Sequence, residues 1–365
     1  MHPVSFRKKL AFELYRQYRK NEKQLHTLNY IFWECTLRCN LNCLHCGSDC
    51  KKESGVKDMP VGDFIRAIDE IKDIVNPNKT SIVFTGGEPL MRNDLELCGQ
   101  KLIKRGFPWG IVSNGLSLTP KRLQSLIDSG MHAITISLDG LQDAHNRLRN
   151  HPQSFKKAIQ AIELLQHYTG IEYDVVTCVN QYNFNELEQI RDLLISKGVK
   201  NWRVFTIFPT GRAKENKELQ LPSLQFKQLF DFIVAERKTG KIKVSYGCEG
   251  FLGGYEGEVR DNFFFCRAGI NVASVLADGS ISACPSIRDN FVQGNIYRDN
   301  FREIWENKYQ IYRDRNWLKT GECEMCDQFK YCDGNGLHLR DESGNLLFCH
   351  YHRIQEGAEA EQISD

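Results

Sequence analysis

The segment Cys39-Asn-Leu-Asn-Cys43-Leu-His-Cys46 places three cysteines in a C-x3-C-x2-C spacing. It follows a strand-like run from Tyr30 to Glu34. Three close thiolates can hold three corners of a four-iron cluster, which leaves the fourth iron without a protein ligand. An open metal position is where a small molecule can bind and react. The spacing therefore predicts a catalytic iron-sulfur cluster rather than a structural one.

A zinc site is the main alternative for these thiols. It would need a fourth cysteine or histidine close in sequence, and His45 could serve only by displacing the pattern. Cys35 and Cys50 lie nearby but outside the spacing, and we predict that neither is a ligand.

Length and composition indicate a soluble globular chain. Its 365 residues suggest two domains at ~150 residues each. The net charge of +2 gives no electrostatic reason to expect a nucleic-acid partner. The first thirty residues contain no apolar segment long enough for a signal peptide or a membrane span. We therefore expect a cytoplasmic protein with no membrane partner.

Residues 1–28 are predicted to form a basic amphipathic helix. Phe6, Leu10, Leu14 and Tyr18 recur at helical spacing with basic residues between them. Such a helix can lie on a membrane surface. Surface helices of globular proteins commonly show the same pattern, so we expect this one to pack on the domain.

From residue 30 to about 208, six strand-like runs alternate with helical patterns, which predicts a parallel sheet with helices outside it. The fold class is α/β, a partial (β/α)6 TIM-like barrel with a smaller cysteine-rich C-terminal domain. Functional sites of such barrels form at the C-terminal strand ends. The predicted strands are 30–34, 81–85, 109–113, 133–138, 173–179 and 202–208. The predicted helices between them are 64–74, 95–104, 121–129, 155–168 and 187–196.

Changes in amino-acid composition along the chain predict where its domains begin and end. Residues 213–222 are mostly polar and charged, as in a linker, and a helix is predicted from Leu224 to Glu236. The predicted organisation is an N-terminal helix (1–28), a barrel (29–212), a linker with a helix (213–247), a cysteine-rich domain (248–352) and a tail (353–365).

Polar motifs follow three of the predicted strands. Thr85-Gly-Gly-Glu-Pro-Leu90 contains two glycines that let the backbone approach a ligand closely. Ser113-Asn-Gly115 follows the third strand. Ser137-Leu-Asp-Gly140 follows the fourth, with His145 and Arg149 after it. Serine and aspartate can bind ribose hydroxyls, and arginine pairs with a carboxylate.

Fourteen cysteines are many for a reducing compartment, where clustered cysteines more often bind metal than form disulfides. Five lie in residues 35–50 and seven in residues 248–349. Cys98 and Cys178 stand apart and are predicted to be buried small hydrophobes. A zinc-ribbon-like staple is the structural alternative for the C-terminal group. That group comprises Cys248, Cys266, Cys284, Cys323, Cys326, Cys332 and Cys349.

The Cys39, Cys43 and Cys46 spacing, with a histidine before the last cysteine, resembles the cluster motif of the radical S-adenosylmethionine (radical SAM) superfamily. In that family the open iron chelates the amino and carboxylate groups of S-adenosylmethionine (SAM). An electron from the 4Fe-4S cluster then cleaves the sulfonium and releases a 5′-deoxyadenosyl radical. The resemblance thus implies two cofactors, the cluster and SAM, and an electron donor protein as a partner.

The strand-end motifs resemble the SAM-binding motifs of the same family. The resemblance assigns the methionine amino group to Gly86, Gly87 and Glu88, whose sequence is similar to the family's GGEP motif. Ser113 and Asn114 stand where the family often shows TNG. Ser137 and Asp139 are assigned to the nucleoside, and Arg149 to the carboxylate. Asn150 departs from the family, because many relatives carry glycine there.

The C-terminal cysteines resemble the SPASM extension, which carries auxiliary iron-sulfur clusters in radical SAM enzymes. The resemblance implies one cluster on Cys323, Cys326, Cys332 and Cys349. A second would use Cys266 and Cys284, with Cys248 as a further candidate. A further cysteine expected after Cys332 is missing. That cluster could lack a cysteine ligand, use Asp333 or His338, expose an open iron or be absent.

The resemblance implies hydrogen abstraction from a substrate held at the barrel mouth. Relatives modify ribosomal peptides, mature sulfatases or act on tetrapyrroles. Sulfatase-maturing relatives place an acid just after the cysteine matched by Cys284, where this chain has Pro285. We expect a peptide or protein substrate, with a tetrapyrrole as the alternative. A metal-stabilised binding protein without turnover is disfavoured, because a structural metal site needs no nucleoside pocket.

Overall fold

A single mixed sheet runs through the protein. The computed structural model describes residues 4–247 and 249–364. Within them the strand order is β10-β9-β8-β1-β2-β3-β4-β5-β6-β7. The strands are β1 (Tyr30–Thr36), β2 (Ser81–Gly86), β3 (Trp109–Ser113), β4 (Met131–Ser137), β5 (Glu172–Val179), β6 (Asn201–Thr206), β7 (Lys243–Tyr246), β8 (Val272–Val275), β9 (Ser280–Ser282) and β10 (Gly294–Asn295).

Strands β1 to β7 pair in parallel, which confirms the predicted TIM-like barrel with its helices outside. Strand β7 is a seventh strand beyond the six predicted. It was not predicted because its four residues are too few to show a clear alternation of apolar and polar side chains. The helices are α1 (Phe6–Leu25), α2 (Val61–Ile71), α3 (Leu95–Ile103), α4 (Pro120–Asp128), α5 (Gln142–Arg149), α6 (Ser154–Leu165), α7 (Leu187–Ser196), α8 (Ser223–Thr239), α9 (Phe301–Asn307), α10 (Gln310–Arg313), α11 (Phe329–Cys332) and α12 (His350–Ser364).

Aromatic side chains fill the layer between the sheet and its helices. Trp33 of β1 stacks on Phe64 of α2 with ring centroids 4.3 Å apart. Phe84 of β2 stacks on Trp109 of β3 at 4.9 Å. A Cβ on Gly99 of α3 would lie 2.3 Å from the Trp109 ring, so only glycine lets α3 approach this closely. This packing fixes the strand ends that carry the site.

The cysteine-rich region continues the barrel sheet. Strand β8 pairs in parallel with β1, and β9 and β10 follow in antiparallel pairing. Residues 353–364, which the sequence predicted as a tail, belong to α12, which packs along α8. A Cβ on Gly357 would lie 2.2 Å from the Ser223 carbonyl oxygen, so glycine permits that close packing. Asn150, which stands where many relatives have glycine, ends α5 in a left-handed conformation (φ 51°). Asparagine tolerates this conformation better than most residues other than glycine.

Helix α1 packs on the domain as expected, but through a different face. Phe12 packs among Phe251, Phe263 and Tyr331, and the buried Arg19 donates to the Tyr331 and Lys330 carbonyl oxygens at 2.6 and 2.9 Å. The helical periodicity predicted that the apolar row would be buried. The face with Phe12 and Arg19 is buried instead, because the C-terminal region supplies aromatic rings and carbonyl oxygens that contact it. The predicted contact residues point to solvent, namely Phe6, Leu10, Leu14 and Tyr18. In the described part of the chain, no helix has the length and apolar character required to cross a bilayer.

Candidate functional site

Each of the three predicted ligand thiols in the loop after β1 has a nitrogen donor. Asn114 Nδ2 lies 3.9 Å from Cys39 Sγ, and Arg149 Nη1 lies 3.8 Å from Cys43 Sγ. The backbone N–H of Cys50 lies 3.4 Å from Cys46 Sγ. The Cys50 side chain also donates to Cys46 and lowers the pKa of the Cys46 thiol. Donors of this kind favour the thiolate, which is the form that binds metal. At Cys39 and Cys43 burial outweighs them and raises the thiol pKa, so a metal bound there would have to displace the thiol protons.

The segment after β6 holds the cysteine loop in place. Arg212 Nε donates to the Cys43 carbonyl oxygen at 2.7 Å, and its Nη1 donates to the Cys50 carbonyl oxygen at 3.0 Å. Gly211 (φ 53°) passes so close that a Cβ would lie 2.4 Å from the Cys46 carbonyl oxygen. No local pattern predicts that these residues contact the cysteine loop, because they lie more than 150 residues away from it along the chain.

The two predicted glycines join the β2 loop to the cysteine loop. The Gly87 N–H donates to the Thr36 carbonyl oxygen at 2.7 Å, and the Glu88 N–H donates to that of Arg38 at 2.9 Å. Gly86 adopts φ 125°, and a Cβ on Gly87 would lie 2.1 Å from the Arg38 carbonyl oxygen. Any side chain at these positions would force the two loops apart.

Glu88 ties the β2 loop to the end of β3. Its carboxylate accepts from the Ser113 hydroxyl at 2.9 Å and from the Asn114 N–H at 2.8 Å. It also accepts from the Leu90 N–H at 3.1 Å. Burial raises the pKa of Glu88 in spite of these donors. Glu88 therefore links the end of β2 to the end of β3 through hydrogen bonds.

Asp139 and Arg149 form a buried ion pair beside Cys43. Arg149 Nε donates to Asp139 Oδ2, and the Cys178 N–H donates to Asp139 Oδ1 at 2.8 Å. Burial alone would raise the pKa of Asp139, but the positive charge of Arg149 and the neighbouring groups, including the Cys178 N–H, together hold that pKa below its ordinary value. His145 Nδ1 accepts the Asp139 N–H at 2.9 Å. The pair therefore presents a guanidinium in a fixed orientation next to the cysteine loop.

One cavity of about 700 Å³ unites these elements at the C-terminal strand ends. The three loop cysteines line it together with seven of the eight predicted SAM-contact residues. Asp139 is the exception and acts behind Arg149. The C-terminal region forms the opposite wall through residues including Arg288, His338 and Arg340. The predicted residues on the cavity wall are Cys39, Cys43, Cys46, Gly86, Gly87, Glu88, Ser113, Asn114, Ser137 and Arg149.

His45 is a wall residue for which no site role was expected from its position in the motif. Its Nε2 lies 4.0 Å from Asp139 Oδ2. Burial, aided by the nearby charge of Arg149, lowers the pKa of His45 to about 4, so the ring is neutral at pH 7. His45 therefore contributes an uncharged side chain to the cavity wall beside the last cysteine.

Four C-terminal thiols border a second, small cavity. Two of them accept hydrogen bonds from Asn335, whose N–H lies 3.1 Å from Cys332 Sγ and whose Nδ2 lies 3.7 Å from Cys349 Sγ. Arg340 Nη2 lies 3.4 Å from Cys323 Sγ. Four thiols with surrounding donors fit a complete cluster with no open iron. The bordering cysteines are Cys323, Cys326, Cys332 and Cys349.

Among the remaining predicted ligands that the structure describes, His338 lines the large cavity, whereas the two cysteines and Asp333 line neither cavity. Among the described residues on the two cavity walls, neither Cys266 nor Cys284 is present. Cys248 lies outside the described residues. Asp333 forms a salt bridge with Lys23 of α1, and His338 packs its ring on Phe208 at 4.8 Å.

Comparison with known families agrees with this geometry. The family described as the radical SAM superfamily matches residues 33–194, and the family described as an iron-sulfur cluster-binding domain (SPASM) matches residues 266–327. The chain is a radical SAM enzyme. It carries a SPASM domain, and its cofactors are a 4Fe-4S cluster, SAM and the auxiliary iron-sulfur centres of that domain.

Curated relatives of this radical SAM enzyme have different names. An AdoMet-dependent heme synthase of Methanosarcina barkeri is 27% identical over 87% of this chain and 93% of its own length. A mycofactocin maturase of Mycolicibacterium smegmatis is 28% identical over 86% of this chain and 79% of its own length. The family is therefore shared, while the relatives' names diverge.

Solved structures share the fold. AnSMEcpe with bound AdoMet and the Cp18Cys peptide matches with a TM-score of 0.68 and 21% identity, over 93% of this chain and 98% of that one. SuiB of Streptococcus suis bound to the precursor peptide SuiA matches with a TM-score of 0.69 and 15% identity, over 93% and 79%. At these identities the likeness concerns the barrel and its extension.

Proposed function

We propose that this enzyme abstracts a hydrogen atom from a peptide or protein held in the large cavity. The observation that carries the proposal is the convergence of the three loop thiols, the glycine loop and Arg149 on one cavity. A reduced 4Fe-4S cluster there would supply the electron that cleaves SAM to the 5′-deoxyadenosyl radical. The wall contributed by the C-terminal region would hold the substrate over that position and limit side reactions.

The residue assignments follow from the hydrogen-bond pattern. Cys39, Cys43 and Cys46 would hold the cluster, because each sulfur already has an N–H donor. Arg149 would bind the SAM carboxylate through nitrogens not used by Asp139. The Gly87 backbone would approach the amino group.

Ser137 lines the cavity and would bind a ribose hydroxyl, while Asp139 would act by orienting Arg149. Cys323, Cys326, Cys332 and Cys349 would hold one auxiliary cluster. An electron donor protein would reduce the cluster. The protein would work in the cytoplasm, because metal-binding thiols stay reduced there.

Two solved neighbours with bound peptides support a peptide or protein substrate. A tetrapyrrole is the second candidate, because relatives named heme synthase and Fe-coproporphyrin III synthase align over most of this chain. Both candidates require the same SAM cleavage and differ only in the molecule that donates the hydrogen.

The first experiment measures 5′-deoxyadenosine by mass spectrometry after anaerobic incubation with SAM and dithionite. Wild-type protein should produce it, Cys43→Ala should not, and Cys98→Ala is the matched control for loss of one buried thiol elsewhere. Production by Cys43→Ala would exclude the proposed cluster site. To identify the donor, peptide and tetrapyrrole fractions from cells grown in heavy water are supplied separately. Deuterium in 5′-deoxyadenosine from the tetrapyrrole fraction alone would overturn the peptide proposal.

A further inference from the structure

Helix α1 exposes a continuous apolar row on its outer face. Phe6, Leu10, Leu14 and Tyr18 lie at four-residue spacing, which places them on one side of a helix. Their exposed fractions are 83%, 56%, 67% and 40%, and Leu25 extends the row at 68%. Single exposed apolar side chains are ordinary, but a contiguous row of large ones marks an interaction surface.

The inner face of α1 is already fully occupied, so the outer row is not core that failed to pack. Phe12 and the buried Arg19 hold the helix against the C-terminal region. Lys23 pairs with Asp333, and Lys8 pairs with Glu258. The helix is therefore fixed on the protein with its apolar row facing away from it.

The same helix is strongly basic. It contains seven lysines and arginines and two glutamates, a net charge of +5, whereas the whole chain carries +2. Both glutamates are engaged, Glu13 by Arg16 and the Tyr331 hydroxyl and Glu22 by Asn271. Three basic side chains are exposed, and no contact described for residues 4–247 and 249–364 pairs them with an acid. They are Arg7, Lys9 and Lys20.

We propose that the outer face of α1 binds the surface of a membrane containing anionic phospholipids. An apolar row flanked by unpaired cations lets a helix lie in the interface, with its apolar side chains among the acyl chains and its cations at the phosphates. The outer side of a single helix is convex, which suits a flat partner. This inference reverses the expectation from sequence that the protein has no membrane partner.

Charge also argues against a second copy of the chain as the partner. Pairing the same face of two helices would bring the exposed basic side chains of both copies together, and like charges repel when their solvation is lost. An anionic lipid surface covers the apolar row and neutralises those cations at once. The proposal does not depend on the substrate, so its failure would leave the proposed catalytic function untouched.

The test is co-sedimentation of the anaerobically purified full chain with vesicles. Vesicles of phosphatidylcholine mixed with phosphatidylglycerol should carry the protein down, and pure phosphatidylcholine vesicles should carry down much less. Leu10→Gln combined with Leu14→Gln should lower the partition coefficient about tenfold or more, since two apolar anchors are lost. Lys9→Gln combined with Lys20→Gln should lower binding to anionic vesicles to a similar degree, about tenfold.

The matched control is Leu97→Gln combined with Ile103→Gln, which changes two half-exposed apolar side chains on α3. It should bind like wild type. Equal sedimentation with neutral and anionic vesicles, or unchanged binding by the α1 variants, would overturn the proposal. Light scattering that finds a dimer which only Leu10→Gln with Leu14→Gln disrupts, without vesicle binding, would assign the face to a second copy and also overturn it.

Discussion

At the residue scale, Arg149 is the side chain on which the site most depends. It neutralises Asp139 in a fully buried position and donates towards Cys43 Sγ. Arg149→Leu would leave an unpaired buried carboxylate, which costs about 3–5 kcal/mol of stability. We expect that loss in urea unfolding at pH 7, together with the loss of SAM-dependent 5′-deoxyadenosine. The double variant Asp139→Asn with Arg149→Leu should recover part of the stability and none of the activity.

The same ion pair predicts a pH dependence. In the wild type the pKa of Asp139 is depressed, so its stabilising contribution is present above the unfolded pKa of ~3.9 and is lost as the pH falls through the lower folded pKa. In Arg149→Leu the Asp139 carboxyl stays buried without its cation, which raises the folded-state pKa of Asp139. That variant should therefore gain stability as the pH falls from about 8 to 5. A flat profile for the variant would contradict the assigned charge pair.

Sequence predicted the residues whose chemistry is local and missed those that act through the fold. The spacing of Cys39, Cys43 and Cys46 and the strand-end motifs lie within short stretches, and the cavity unites them. Arg212 and Arg288 contact the cysteine loop from more than 150 residues away, so no local pattern marks them. The side-chain roles at the predicted SAM site stay predictions.

At the element scale, the two strand-end loops depend on Gly87. Gly87→Ala would put a Cβ 2.1 Å from the Arg38 carbonyl oxygen, where only backbone movement relieves the clash. We expect a loss of about 2 kcal/mol or more in chemical unfolding, with impaired iron loading. Gly62→Ala is the matched control, because nothing lies within 4 Å of the place that the new methyl group would take in α2. That change should stabilise the protein by about 0.5–1 kcal/mol.

The helices and strands were predictable wherever apolar residues recur with a clear period and turn residues mark the ends of the element. All six predicted barrel strands appear, because alternating strand and helix patterns recur at regular intervals. Helix α1 was found as an element but assigned the wrong buried face. Two faces of α1 could have packed on the domain, and long-range contacts decide which one is buried: Phe12 with Phe251 and Phe263, and Arg19 with the Tyr331 carbonyl oxygen. Helix α12 was missed because its polar sequence shows no apolar face.

At the scale of the whole molecule, the C-terminal region contacts both β1 and the cysteine loop. Strand β8 extends the sheet beside β1, and Arg288 joins the C-terminal region to Glu34 of β1 and to Ser48 of the loop. Helix α1 reaches the auxiliary cysteines through Lys23 and Asp333 and through Arg19 and the Tyr331 carbonyl oxygen. Order in the auxiliary site should therefore be coupled to order in α1.

This coupling predicts the effect of removing metal. Because a metal that binds only the folded state stabilises it, Cys332→Ala should lose about four irons per chain and melt at a lower temperature. Its α1 amides should also exchange hydrogen for deuterium faster, since α11 and Asp333 anchor that helix. The amides of β3, a strand in the middle of the sheet, should be unchanged. Cys98→Ala should keep both its iron content and slow α1 exchange. If iron-depleted wild type and loaded wild type show the same α1 exchange, the helix is anchored independently of the cluster and the coupling is refuted.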